Sequence, residues 1–214
     1  MDFSQMMRPM LQGTWISLEI FFLTILLAMP LGLFVAFGRM SKIKIISVPI
    51  RFYQLLMRGT PLILQLMFVF FVPYYIFGTP FKSRFTAAIV AFVLNYAAYF
   101  AEIYRGGIES IDQGQYEAAK VLGYSKAQTY LRIIIPQVVK RILPPMGNEF
   151  MTLVKDTALA QTIGVVELYR NATNITSRTS SITPLIVAGI IYFVLNFVVE
   201  KFFLRAEKKL DYYQ

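Results

Sequence analysis

The sequence predicts an all-α integral membrane protein of five transmembrane helices, with a cytoplasmic helix-turn-helix loop between the third and the fourth. Three observations carry that expectation. The 214 residues are 57% hydrophobic and only 15% charged, where a soluble domain is nearer half apolar and a quarter charged. The mean hydropathy is +0.56, and the apolar residues gather into stretches of roughly 20 or more, the length that crosses about 30 Å of hydrocarbon. Lysine and arginine are divided unequally among the segments between those stretches.

Composition also excludes several kinds of chemistry. Cysteine and histidine are both absent, so disulfides, thiolate or imidazole metal sites and Ser-His-Asp or Cys-His catalysis are ruled out. Neither a metal nor a cofactor is expected. A net charge of +9 in a soluble protein would point to nucleic acid, but here basic residues on the cytoplasmic side of a membrane account for it. Lipid is the expected surrounding, and no nucleic-acid partner is.

Taken in order, residues 15–38 make the first span, too long for a signal-peptide core and without a small-x-small cleavage site. Residues 45–77 would be roughly 50 Å long as one helix, so that region must tilt steeply or break, and Thr60-Pro61 supplies the break. Residues 85–104 form a third span. Residues 142–166 form a fourth, uncomfortable in lipid because it carries Glu149, Lys155 and Asp156, and residues 183–203 form the last. With the N-terminus outside, the inner segments 39–44, 105–141 and 201–214 hold thirteen lysines and arginines, against five in the outer segments 1–14, 76–84 and 167–183. The N-terminus is therefore expected outside and the C-terminus in the cytoplasm. With no long linker or repeat, residues 1–214 read as one domain.

The segment 111–136 reads as structured. Asp112 can cap a short helix running to Leu122, and Gly123 suits the left-handed residue that ends one. Ser125 with Gln128 is a capping-box signature for a second helix, which Pro136 closes or kinks. Ala118, Ala119 and Leu122 give the first helix a small apolar face for another protein, with Glu117 and Lys120 at its edge.

Polar residues inside spans mark a pathway, because they are expensive there. Asn95, Tyr99 and Glu102 stand at i, i+4 and i+7 of the third span, and Glu149, Thr152 and Asp156 at i, i+3 and i+7 of the fourth. Each set is one helical stripe, and the two stripes can face one cavity. The same groups can instead bond one another, Asn95 to a neighbouring helix and Lys155 to Asp156. Thr60 before Pro61 reads as the N-cap of a half-helix reaching Phe77, whose free N–H groups would suit an anionic group, with Arg58 just before it; alternatively Pro61 kinks one long helix and Arg58 extends to the inner headgroups. If all are ionised and face inward, Glu102, Glu149 and Asp156 outweigh Lys155. That balance favours a cationic over an acidic cargo.

Glu117-Ala118-Ala119, then Gly123 after three residues, then Ile133 and Pro136, closely resembles the EAA loop of the membrane subunits of bacterial ABC importers. Ile135 stands where that pattern carries Leu. Arg58-Gly59-Thr60-Pro61 with Gln65, Asn95-Tyr96-Ala97-Ala98-Tyr99 with Glu102 and Arg105-Gly106-Gly107, and Lys155-Asp156-Thr157-Ala158-Leu159 are similar to the polar amino acid permeases of the histidine, glutamine and arginine type. That branch more often carries Ser where Ala158 stands. The resemblance covers roughly residues 14–205. It implies a permease of the bacterial inner membrane that pairs with a second copy or a close relative, binds two ATP-hydrolysing subunits, and receives its amino acid from an extracellular binding protein. It assigns coupling to Tyr116, Glu117, Ala118, Ala119, Leu122, Gly123 and Tyr124. The candidate substrate set is Arg58, Thr60, Asn95, Tyr99, Glu102, Glu149, Thr152, Lys155, Asp156 and Thr157.

No G-x-x-x-x-G-K-[ST] phosphate loop occurs, so the chain is not expected to hydrolyse ATP itself. The alternative is an ion-gradient-driven transporter or small channel using the intramembrane carboxylates directly. That alternative gives the 111–136 helix-turn-helix no work.

Overall fold

In the computed structural model, which describes residues 3–79, 81 and 83–210, the first apolar stretch becomes a helix longer than its apolar residues require. Lys82 and residues 211–214, which enter the charge comparison above, lie outside the described residues. Helix α1 (Phe3–Arg39) runs through Pro9 and Pro30 without a break. Ile20, Thr24, Ala28 and Ala36 are buried on it at helical spacing, with Gly32 between the last two. That face lies along α4 (Arg84–Glu109), half of whose buried residues are alanine: Ala87, Ala88, Ala91, Ala97, Ala98 and Ala101. A Cβ on Gly32 would stand 2.9 Å from Phe100 Cβ and 3.0 Å from the Ala97 carbonyl oxygen. Small residues let two backbones approach where lipid supplies no hydrophobic drive, so dispersion contacts hold the pair.

The long second region is divided where the sequence placed the break. Helices α2 (Lys44–Gly59) and α3 (Leu62–Phe77) meet at 112°. Pro61 pushes the residue before it into extended backbone, and Thr60 has φ −120° and ψ 148°. The expected cap is corrected, however. The Thr60 hydroxyl donates backwards to the Leu56 carbonyl at 2.8 Å, and the N-cap position of α3 is Pro61, which offers no side-chain cap.

Among the described residues, α1, α4 and α9 (Thr183–Lys209) are each long and apolar enough to cross a membrane, and α2 with α3 qualifies as one broken span or re-entrant pair. The expected fourth span differs. Helix α7 (Ile135–Asp156) stops inside residues 142–166, and a 3-10 segment, Thr157–Ile163, leads to Gly164 at φ 82°. The hydroxyls of Thr157 and Thr162 donate to the carbonyls of Val154 and Leu159, each at 2.8 Å, three residues back. These local bonds compete with regular α-helix. Lys140, Arg141, Glu149, Lys155 and Asp156 also leave α7 too charged for an apolar span by composition.

Glu167 follows, completely buried, as the cap of α8 (Leu168–Thr179). Its carboxylate accepts from the backbone N–H groups of Tyr169 and Arg170, each at 2.7 Å, and from the Tyr192 hydroxyl at 3.0 Å. In the sequence it merely opens an outer segment.

Between α4 and α7 the loop has the expected caps. The Asp112 carboxylate accepts from Gly114 N at 2.6 Å at the start of α5 (Gln113–Val121), and Gly123 has φ 77°. Ser125 and Gln128 form the reciprocal capping box of α6 (Lys126–Gln128). The second helix does not close at Pro136. It widens into a π-helical turn, Thr129–Ile134, and continues as α7 with Pro136 in the first turn, where a missing N–H costs least.

Gly32→Val should lower the stability of the detergent-solubilised protein by about 1–3 kcal/mol, as overpacking does. Gly189→Val, where an added Cβ meets nothing within 4 Å, should leave the thermal melt close to that of the wild type.

Candidate functional site

Breaking a helix frees backbone carbonyls from their helical partners, and two side-chain amides satisfy them here. Asn95, on α4, donates to the Met57 carbonyl at 3.0 Å and to Gln65 Oε1 at 2.9 Å. The Gln65 amide donates to Met57 O at 2.9 Å, Thr60 O at 3.1 Å and Thr60 Oγ1 at 2.8 Å. Tyr53 OH donates to the Leu94 carbonyl at 2.5 Å and adds a second tie from α2 to α4. The clamp occupies Asn95 and Thr60, both named as substrate candidates. Gln65, quoted only within a motif, takes part in four of its bonds.

The clamp sets where the last turn of α2 lies. The Arg58 guanidinium sits 5.5 Å from the centre of the Tyr99 ring and 3.6 Å from Glu102 Oε2. A cation over an aromatic face is attracted by the ring quadrupole. Glu102 is also paired with Arg105 on the same helix, and Arg105 with Glu109. Arg58, Tyr99 and Glu102 therefore come together, and Arg105 joins them.

One helical turn away, Tyr96 OH donates to Asp156 Oδ2 at 2.8 Å and links α4 to α7. The Tyr96 and Tyr99 rings lie 6.3 Å apart, so this pair continues into the Arg58 cluster. Glu149 lies half-buried on α7, within electrostatic reach of both Asp156 and Arg58. Thr152 and Lys155 are on the exposed side of α7, the hydroxyl of Thr152 donating to Asn148 O at 2.9 Å. Thr157 is buried, its hydroxyl held by Val154. The two stripes thus meet through Tyr96, a residue at neither stripe's spacing, with Asn95 and Thr157 facing away from the contact.

Chemically, the arrangement offers two half-buried carboxylates, a guanidinium on an aromatic ring and a phenol. A carboxylate can accept several hydrogen bonds, and Asp156 and Glu149 suit an ammonium, while Arg58 suits a carboxylate.

The loop presents a different face from the one its spacing predicts. Ala119 is buried, and Tyr116 turns towards Tyr130 with the ring centres 6.0 Å apart. The outward surface consists of Glu117, Ala118, Lys120, Val121 and Leu122, with Val121 86% and Leu122 72% exposed. Tyr124 is also exposed, and Gly123 turns the chain between the helices. Gln137, donating to Gln115 at 3.2 Å, and Arg141, donating to the Ser110 carbonyl, tie this unit to α7.

Tyr96→Phe removes the donor from Asp156 and should destabilise the protein by about 1.5–3 kcal/mol, the usual worth of a hydrogen bond to a charged group. A thermal melt beside Tyr99→Phe, which keeps the ring under Arg58 and should shift little, measures it.

Known proteins resemble this chain over nearly its whole length. The putative glutamine transport system permease protein GlnP of Rickettsia conorii is 33% identical over 200 residues, covering 93% of this chain and 91% of its own. The arginine transport system permease protein ArtQ of Bacillus subtilis is 37% identical over 201 residues, 94% and 91% of the two chains. A chain from a crystal structure of an amino acid ABC transporter with histidines superposes with a TM-score of 0.87 at 37% identity, covering 98% of this chain and 99% of that one. Residues 28–212 match the model of the binding-protein-dependent transport system inner membrane component, and the chain belongs to that family, as a multi-pass inner-membrane permease of an ABC importer for amino acids.

Proposed function

We propose that this chain carries a polar, cationic amino acid inward by alternating access. The observation that supports this most is the Tyr96–Asp156 hydrogen bond beside the Tyr99–Arg58 stack, with the half-buried Glu149 two turns from Asp156 on α7. Because Glu102 already pairs with Arg58 and Arg105, the preference rests on Glu149 and Asp156. Their carboxylates would hold the ammonium groups of the substrate, and Arg58 would hold its carboxylate. Thr152 and Lys155, on the open side of α7, would meet the substrate or a second copy.

The permease works with ATPase subunits and a substrate-binding protein. Two of the former and a second permease, identical or closely related, would complete it. The N-terminus lies outside, so α1 and α4 both end on the cytoplasmic side, where the α5 loop meets an ATPase through Ala118, Val121 and Leu122. ATP closes the ATPase pair and the spans open outward to accept substrate. Hydrolysis then resets them inward. A gradient-driven transporter would leave this exposed apolar turn without a partner.

ATP hydrolysis by the complete complex in lipid nanodiscs, with binding protein and single amino acids added, tests the reading. Arginine, lysine or histidine should stimulate it and glutamate should not. Equal stimulation by glutamate and arginine overturns the cationic preference. Gly123→Val, at φ 77° with nothing within 4 Å of an added Cβ, should cost about 1–2 kcal/mol of backbone strain and uncouple hydrolysis from substrate. Stimulation that survives the change removes Gly123 from the coupling path.

A further inference from the structure

A cavity of about 260 Å³ opens where α1, α2 and α4 meet, lined by Arg39, Arg51, Gln54, Leu55, Arg58 and Glu102, so that it adjoins the Arg58 cluster. Its charged lining is three arginines against a single carboxylate, and that carboxylate is already paired with Arg58 and Arg105. Gln54 is only 4% exposed, yet neither its amide nitrogen nor its amide oxygen has a hydrogen-bond partner. Two nitrogens of Arg39, Nε and Nη1, are buried without partners as well. Buried polar atoms of this kind are rare because each costs its full desolvation. Here several converge on one basic cavity.

The surface beside the cavity is apolar. Ile45, Val48, Phe52 and Leu55 follow one another at i, i+3, i+7 and i+10 along α2, and all are exposed. Arg51, Gln54 and Arg58 form the adjoining stripe at i, i+3 and i+7. Leu55 belongs to both the apolar face and the cavity wall. An occupant must therefore be anionic at one end and apolar along the other.

We infer that this cavity holds the headgroup of an anionic phospholipid whose acyl chains lie along the Ile45 to Leu55 face. A phosphodiester accepts from Arg39, Arg51 and the Gln54 amide nitrogen, with guanidinium favoured for planar phosphate recognition. The Gln54 amide oxygen needs a donor, which the glycerol hydroxyls of phosphatidylglycerol supply. Basic cavities between membrane helices suit such headgroups. The leaflet concerned is the inner one under the orientation proposed above, but recognition of the headgroup does not depend on it.

The full-length protein in non-ionic detergent, titrated with phosphatidylglycerol or with phosphatidylcholine of matched acyl chains, can be followed by native mass spectrometry. Phosphatidylglycerol should bind about tenfold more tightly, the worth of one charge-assisted bond. Gln54→Leu and Arg51→Gln should each erase most of that preference, while Arg51→Lys keeps part of it. Equal binding of the two lipids by the wild type, which needs no variant to fold, overturns the proposal, as does a preference that survives both substitutions. Release of bound lipid by excess inorganic phosphate would mean that the cavity reads a free anion and overturns the lipid assignment. Lipid on monomers that is absent from dimers would assign the apolar face to a second copy and overturn it too.

Discussion

A backbone carbonyl that has lost its helical partner is most stable with another donor, and much of this structure follows from how that need is met at Thr60-Pro61. Met57 O takes one bond from Asn95 and one from Gln65, while Gln65 also reaches Thr60. The bend of 112° is thereby held from both sides of the break and from a neighbouring helix. Once α2 is fixed in this way, Arg58 has a defined place over Tyr99 and beside Glu102. The preceding two turns of the same helix present Arg51 and Gln54 to the basic cavity. Arg58 is thus shared between the Tyr99 cluster and the basic cavity.

Elsewhere the fold holds one carboxylate in its interior by pairing it. Glu167 is buried at the cap of α8 with two backbone N–H groups and a phenol around it. The adjoining α1 carries Gly13 there, where a Cβ would stand 2.8 Å from the Glu167 carbonyl oxygen. Gly32 does the same work against α4, and Gly147 against Phe203. Close backbone approach at these points lets a small bundle hold polar residues away from lipid. The outward residues Phe34, Tyr75, Phe77 and Phe193, by contrast, are exposed and apolar, as a lipid-facing surface requires.

Much of this was legible in the sequence wherever local chemistry decides the structure. Proline after threonine marks the break, Asp112 and Ser125 mark caps, and Gly123 marks a left-handed turn. What needed the structure was the choice among partners that local pattern leaves equivalent. Thr60 has the side chain of an N-cap but bonds backwards to Leu56, and Pro136 has the look of a stop but sits after a π-helical turn that tolerates it. Helical spacing selected Asn95 and Thr152 as members of polar stripes. It could not say that Asn95 would be used by the break, or that Tyr96, one position along, would reach Asp156. Apolar content extended the fourth stretch to residue 166, whereas Thr157 and Thr162 end its regular helix by bonding locally.

The central claim is that the amide clamp of Asn95 and Gln65 fixes the α2–α3 bend. The chain has no native cysteine, so spin labels at Ile45 and Tyr75, which are 87% and 80% exposed near the far ends of the two helices, report that bend without interference. Their distance distribution in lipid nanodiscs, measured by double electron-electron resonance, should be narrow in the otherwise wild-type protein. In Asn95→Leu it should broaden towards longer distances as the helices straighten. An unchanged narrow distribution in that variant would contradict the account, because the bend would then need no clamp.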